Sequence, residues 1–179
     1  ESGAHVLGQI QDSGRGRHAV GRNNEAVGAS PLPDDLSWTV PAVLSPGGIR
    51  EMIDHWALGA RRLQRAGFSG VEISAGHGHL LHQFLSPWSN RRTDQYGGDL
   101  KNRVRFLTEL VSAIRGECGR PFIIALKLPG DDGVAGGIDL EMASAINTLL
   151  AELAEDFDLW TWVWGAHARS LHQHLPDAH

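Results

Sequence analysis

Cysteine is nearly missing from this chain, with Cys118 alone among 179 residues. An internal disulfide is therefore excluded, and the usage points to a reducing, cytoplasmic setting. Cations are also in deficit: 16 Lys plus Arg stand against 21 Asp plus Glu, for a formal charge of −5. No basic run gathers anywhere, so neither a nucleic-acid partner nor a polybasic membrane anchor is expected, because each depends on clustered cations facing phosphates. Long apolar runs are missing too. A stretch such as Phe122 to Leu126 falls far short of the roughly 20 residues that span a bilayer, so no membrane partner is expected. The chain opens on Glu1 without a charged-then-apolar leader, which reads as a cut, not a translation start or signal peptide. What is present is core-forming material, 41% hydrophobic residues together with 22 glycines, the usual share of a folding domain.

Helical periodicity begins at Ser45. In SPGGIREMIDHWALGARRLQRAG the residues Ile49, Met52, Ile53, Trp56, Ala57, Ala60 and Leu63 share one face, Pro46 suits a first turn and Gly67 a stop. FSGVEIS follows as a short β-branched run, the signature of a buried parallel strand. Phe106, Leu107, Leu110, Val111 and Ile114 predict a second helix over 102–115, and PFIIALKL a further strand. Ala143, Ile146, Leu149, Leu150 and Leu153 predict a third helix over about 140–153. FDLWTWVW closes the series as a strand whose Trp160, Trp162 and Trp164 share one face. With AHVLGQI as the first strand, the chain reads as about four strands and three helices in one domain over 1–179. Such alternation specifies an α/β architecture with a parallel sheet and right-handed crossovers, leaving a (β/α) barrel or a doubly wound sheet. The stretch 11–45 is rich in Gly, Pro, Asn and Ser, and a loop of that length is expected to lie over a site.

Ligands bind beyond the carboxyl ends of the strands in both architectures. That selects Gln9, Gln11, Asp12 and Arg15 after the first strand, then Ser74, His77 and His79, Lys127 at the end of the third, and the tryptophans along the fourth. Gln9 serves either a ligand or the loop backbone. Lys127, set in IIALKL, must reach solvent, a carboxylate or a ligand anion, because an unpaired buried ammonium is prohibitively costly. The tryptophans are core or cavity wall; three indoles on one barrel-facing strand would overfill a small interior, which sets at least one at a cavity edge. His77, His79 and His82, with His172 and His174, admit a metal-hydrolase reading, since imidazoles two apart at a strand end reach one ion. No ordered carboxylate joins them, so the expected metal is none.

The run from Gly67 to Arg115, GFSGVEISAGHGHLLHQFLSPWSNRRTDQYGGDLKNRVRFLTELVSAIR, closely resembles the signature region of the Old Yellow Enzyme-like NADH:flavin oxidoreductases. QIQDSGR from Gln9 to Arg15, and FIIALKL with Gly136 and Gly137, extend the likeness. The resemblance implies a (β/α)8 TIM barrel that binds FMN, of which this chain covers about the middle half, without the opening and closing units. It implies that Gln9 hydrogen-bonds the flavin pyrimidine edge and that Lys127 is the basic residue near flavin N1 and the C2 carbonyl. The family's substrate pair, His-x-x-His or His-x-x-Asn, is followed after one residue by a tyrosine proton donor. Here Ser74 takes the first place, His77 keeps the second and His79 replaces the tyrosine. These departures weaken enone reduction and draw the chain toward the branch of trimethylamine dehydrogenase and the bacterial dimethylglycine demethylases. In that branch Trp160 matches a tryptophan of the substrate cage, which Trp162 and Trp164 extend, since aromatic faces attract alkylammonium groups. His77 or His79 then accepts the ammonium proton. The expectation is oxidative N-demethylation of a small methylated amine by hydride transfer to FMN. An NAD(P)H-dependent flavin ene-reductase, or an inactive fragment of either, is the alternative. A homo-oligomer or an electron-transfer partner stays open, and no iron–sulfur cluster is inferred. The loop residues Asn90, Arg91, Arg92, Thr93, Asp94, Tyr96, Gly97, Gly98, Asn102 and Arg103 are expected to be structural.

Overall fold

Ser45 starts the first helix of the computed structural model, which describes residues 3–16, 26–33, 40–153 and 156–166. Its side chain accepts from Gly48 N at 3.0 Å and caps α1 (Pro46–Arg65), satisfying one of the amides a helix start leaves unpaired. Asp99 does the same for α3 (Leu100–Cys118), accepting from Asn102 N at 2.8 Å. This cap begins the helix at Leu100, two residues before the expected start at 102. The third expected helix is α4 (Leu140–Leu153). One helix went unexpected, α2 (Leu80–Leu85). All six of its residues are buried, so it has no polar face and hence no amphipathic period to read.

The strands are β1 (Leu7–Ile10), β2 (Val27–Gly28), β3 (Ala42–Val43), β4 (Gly70–Ser74), β5 (Ile123–Asp131) and β6 (Leu159–Trp164). Four of them form one parallel sheet in the order β1, β4, β5, β6. The small parallel ladder of β2 and β3 lies inside the stretch expected to be loop. In the main sheet sequence order and spatial order agree, with no reversal. Its two faces differ sharply. Val71, Ile73, Ile124, Leu126 and Leu128 are buried with Ile49, Ile53 and Ala57 of α1, Phe106 and Leu110 of α3, and Ile146 and Leu150 of α4. Gly8 belongs to this face, for a Cβ there would lie 2.7 Å from Leu63 Cδ1. The opposite face carries Gln9, Glu72, Ser74 and Lys127, alternating along the strands with the core-facing residues; Ser74 is itself buried there, while Gln9, Glu72 and Lys127 are partly or fully exposed. A doubly wound sheet reverses its strand order and packs helices on both faces. Sequential strands with every long helix on one face are the pattern of a (β/α) barrel.

The loop between α2 and α3 is held as expected of structural residues. Asn90 Nδ2 donates to Phe84 O and Tyr96 O, both at 2.7 Å. Arg92 grips Asp94 and also donates to Ala29 O and Leu44 O, while Arg103 reaches Leu85 O and Gly98 O. These guanidinium groups saturate carbonyls that no strand or helix serves. Among the described residues no helix is long and apolar enough to cross a membrane.

Candidate active site

Parallel register brings residues from four strands into rows on the face opposite the long helices. Gln9 stands beside Glu72, which stands beside Ala125; one row higher, Ser74 stands beside Lys127 and Lys127 beside Thr161. Glu72 ties the two rows together. Its Oε1 accepts from Gln9 Nε2 at 2.6 Å and from Lys127 Nζ at 2.8 Å. Lys127 and Glu72 keep only 22% and 20% of their side-chain surface exposed, so the pair is partly shielded from water. Burial acts to raise the Glu72 carboxyl. The hydrogen bonds from Lys127 and Gln9, with the charge of Lys127, outweigh it and hold the group below the ordinary carboxylate range. Lys127 thus meets the carboxylate that its apolar setting demanded.

Beyond β4 the chain turns sharply. His77 adopts φ +57 and Gly78 φ +74, a left-handed pair in which a non-glycine residue is uncommon and needs outside support. The support is visible. Gly78 N donates to His82 Nδ1 at 2.7 Å, Gln83 Nε2 donates to Gly78 O at 2.8 Å, and Leu80 N donates to Asp12 O at 2.9 Å. The turn sets the His77 and His79 rings edge to face, 6.2 Å between centroids. Gly76, just before it, has no room for a Cβ, which would collide with Val163 Cγ2. Asp12 and Arg15 shape the neighbouring turn: Asp12 Oδ1 accepts from Gly14 N at 2.7 Å, and buried Arg15 lies 4.7 Å from the centre of the Trp88 ring.

His82 is committed to structure. With Nδ1 accepting from Gly78, its proton sits on Nε2, which donates to Asp132 Oδ1 at 2.6 Å. Asp132 Oδ2 accepts from Ser86 Oγ at 2.6 Å and Ile138 N at 2.8 Å. Burial acts to raise the Asp132 carboxyl, yet these hydrogen bonds hold it below its usual range. The network joins the loop after β4 to the loop after β5. His82 is therefore no companion of His77 and His79 in a metal site, and among the described residues no three His, Cys, Asp or Glu gather to hold an ion. His172 and His174 lie outside the described residues.

The tryptophans require a correction. Trp160 stands beside Leu126 and Trp162 beside Leu128, and those leucines point into the helix-covered core. Trp162 and Trp164 line a cleft of about 480 Å³ with Ala143, Ser144 and Asn147 of α4. Period-two alternation does set the indoles on one face, as expected, but it is the face opposite Gln9 and Lys127. The reason is parity: Lys127 pairs with Thr161, so the even-numbered tryptophans turn away. Trp160, Trp162 and Trp164 do not come together with Ser74, His77 or His79, and no cage forms there.

Two residues escaped sequence reasoning, Glu72 and Asp132. Glu72 had a readable signal, as a carboxylate inside an apolar strand two positions before Ser74 and so on its face. Asp132 lies in PGDDGVAGG, where nothing local separates it from Asp131.

The sequence profile of the NADH:flavin oxidoreductase / NADH oxidase family matches residues 1–171. The chain is 41% identical over 116 residues to an N,N-dimethylglycine/sarcosine dehydrogenase of Chromohalobacter salexigens, covering 55% of this chain and 16% of that protein. It is 39% identical over 140 residues to an NADPH dehydrogenase of Clostridium acetobutylicum, covering 77% and 41%. Morphinone reductase superposes with a TM-score of 0.78 at 28% identity, covering 89% and 47%. The chain thus spans less than half the length of each.

Proposed function

The chain belongs to the NADH:flavin oxidoreductase / NADH oxidase family, and on that premise we propose that its polar sheet face is the flavin side of an enzyme that oxidatively demethylates a small, dimethylglycine-like amine. The family's members are FMN-dependent oxidoreductases on a (β/α)8 TIM barrel, and the four sequential parallel strands belong to that fold. One observation carries the flavin assignment. Lys127 and Gln9 lie on one uncovered face, both fastened to Glu72. A flavin pyrimidine edge presents carbonyl oxygens and ring nitrogens side by side, and a cation with an adjacent amide is the donor set that fits it.

When bound, FMN supplies a hydride acceptor whose pyrimidine edge gains negative charge, while the iminium left on the substrate hydrolyses to formaldehyde. Lys127 supplies fixed positive charge toward that edge, and Gln9 orients it with its amide. His77 or His79 takes the ammonium proton and so frees the amine lone pair, imidazole being the side chain that titrates in the needed range. Ser74 offers a hydroxyl where a second imidazole would grip a carbonyl oxygen. Support for the amine comes from Ser74 and His79 themselves and from the 41% identity to a dimethylglycine/sarcosine dehydrogenase. It no longer draws on the tryptophans. The second reading, an NAD(P)H-dependent ene-reductase, is favoured by the NADPH dehydrogenase likeness.

The test is the visible spectrum of the full-length protein under anaerobic addition of dimethylglycine and, separately, of NADPH. Bleaching of the flavin band by the amine is expected; bleaching by NADPH alone would favour the second reading, and no flavin band would overturn both. The double exchange Ser74→His with His79→Tyr is expected to lower amine oxidation and raise enone reduction, each by about 10²-fold, the usual range for one positioned acid or base. Unchanged rates for both substrates would remove Ser74 and His79 from the substrate site.

A further inference from the structure

Building on the flavin assignment, on which it rests, we infer that Glu72 is a positioning residue for Lys127: its carboxylate fixes the ammonium on the sheet and offsets part of its charge, and thereby sets the reduction potential of the bound flavin. Three observations converge. A single oxygen, Oε1, takes both the Gln9 amide at 2.6 Å and the Lys127 ammonium at 2.8 Å, so one group orients both pyrimidine-edge donors. Glu72 sits in β4 between the strands that carry them, where register holds its position. It also projects from the face that no helix covers, away from the core cluster that stabilises the sheet.

A glutamate is a poor choice for a central strand on propensity grounds, and a partly exposed ion pair returns little folding stability. Stability alone therefore gives weak reason for a carboxylate here. Its electrostatic effect is of another order. Lys127 with its partner presents a damped field, whereas Lys127 without it would present a full unit charge in a partly shielded site where Coulomb interactions are stronger than in water. The damped field favours the added electron pair less, and so keeps the flavin a stronger reductant. Its mirror consequence is geometric: an ammonium on a four-carbon stem has many rotamers, and the carboxylate selects the one that lies on the sheet.

The experiment measures the two-electron midpoint potential of FMN in the full-length holoenzyme for wild type, Glu72→Gln, Glu72→Asp, Lys127→Met and the Glu72→Gln/Lys127→Met pair. Glu72→Gln keeps the shape and the acceptor oxygen but removes the charge. The expected result is a shift to more positive potential corresponding to about tenfold preference for the reduced form, about 30 mV for a two-electron couple. Glu72→Asp, which keeps the charge, should stay near wild type and guards against a glutamine variant that does not fold. In the Lys127→Met background the glutamine exchange should lose most of its effect, because a residue acting through another shows up as coupling in the cycle. An unchanged or more negative potential in Glu72→Gln would overturn the inference, as would an equal shift in both lysine backgrounds. A wild-type protein that cannot be loaded with FMN would instead overturn the flavin assignment beneath it.

Discussion

Lys127→Met is expected to slow reduction of the flavin by about 10²- to 10³-fold, the loss that follows removal of one preorganised charge from a site where charge develops. Stopped-flow reduction of the full-length holoenzyme measures it. The substitution does two things at once. It removes positive charge from the pyrimidine side, and it strips Glu72 of the partner that holds its carboxyl low. In wild type the sign is clear: a carboxyl depressed in the folded protein contributes stability that is present above its unfolded value of about 4.3 and is lost as pH falls through the folded value. The pair therefore persists at neutral pH and dissolves only in acid. With methionine at 127 the burial contribution is left less opposed, so the Glu72 carboxyl rises toward its neutral form. Lys127→Arg keeps the cation and should retain the rate within about tenfold, with loss set by the planar fork replacing a point charge. A methionine variant as fast as wild type would remove Lys127 from the flavin site.

Much of this fold is written locally. Ile49, Ile53, Ala57 and Ala60 keep one stripe because α1 has one face to bury, and β4 and β5 read as strands because their core-side residues are Val and Ile or Ile and Leu on every second position. What local pattern does not carry is parity between strands. Trp160, Trp162 and Trp164 alternate correctly, yet whether they face Lys127 or Leu126 depends on which residue of β5 each one pairs with, a register that the alternation within β6 does not carry. The face Glu72 projects from is readable within β4, but its partner Lys127, 55 positions on counting from 72 to 127, is set by that same inter-strand register. Gln9 and Ser74 stand at or next to the ends of β1 and β4 and His77 in the turn beyond β4, as the family motifs led one to expect of their placement, whereas Lys127, expected at a strand end, lies in the middle of β5, which runs on to Asp131. The short helix α2 was not legible, since an element buried all round shows no period.

Asp132→Ala is expected to destabilise the protein by about 3 to 5 kcal/mol, as follows from leaving three buried hydrogen-bond donors unsatisfied at about 1 to 3 kcal/mol each. Three donors converge on this carboxylate, from His82, Ser86 and the Ile138 backbone, and alanine leaves all three buried and unsatisfied. Little can relax into the gap, for Gly137 already packs so closely that a Cβ would lie 2.5 Å from Asp132 Oδ2. Asp132→Asn should cost nearly as much, because its amide nitrogen must face a donor whichever way it turns. The pH dependence has a definite sign. The Asp132 carboxyl is depressed in the folded protein, so its contribution is complete above the unfolded value of about 3.9 and is lost as pH falls through the lower folded value. Denaturant unfolding followed by tryptophan fluorescence at pH 7 and at decreasing pH measures both effects, and a loss below about 1 kcal/mol for alanine would show that the cluster does not hold the loops. The damage should also reach the site. His82 released from Asp132 no longer presents Nδ1 to Gly78 N in a fixed direction, and that contact is what supports the left-handed turn at His77. Conditions that keep Asp132→Ala folded should therefore still show a raised KM for the substrate with FMN affinity little changed, because Gln9, Glu72 and Lys127 are fixed by strand register and need nothing from Asp132.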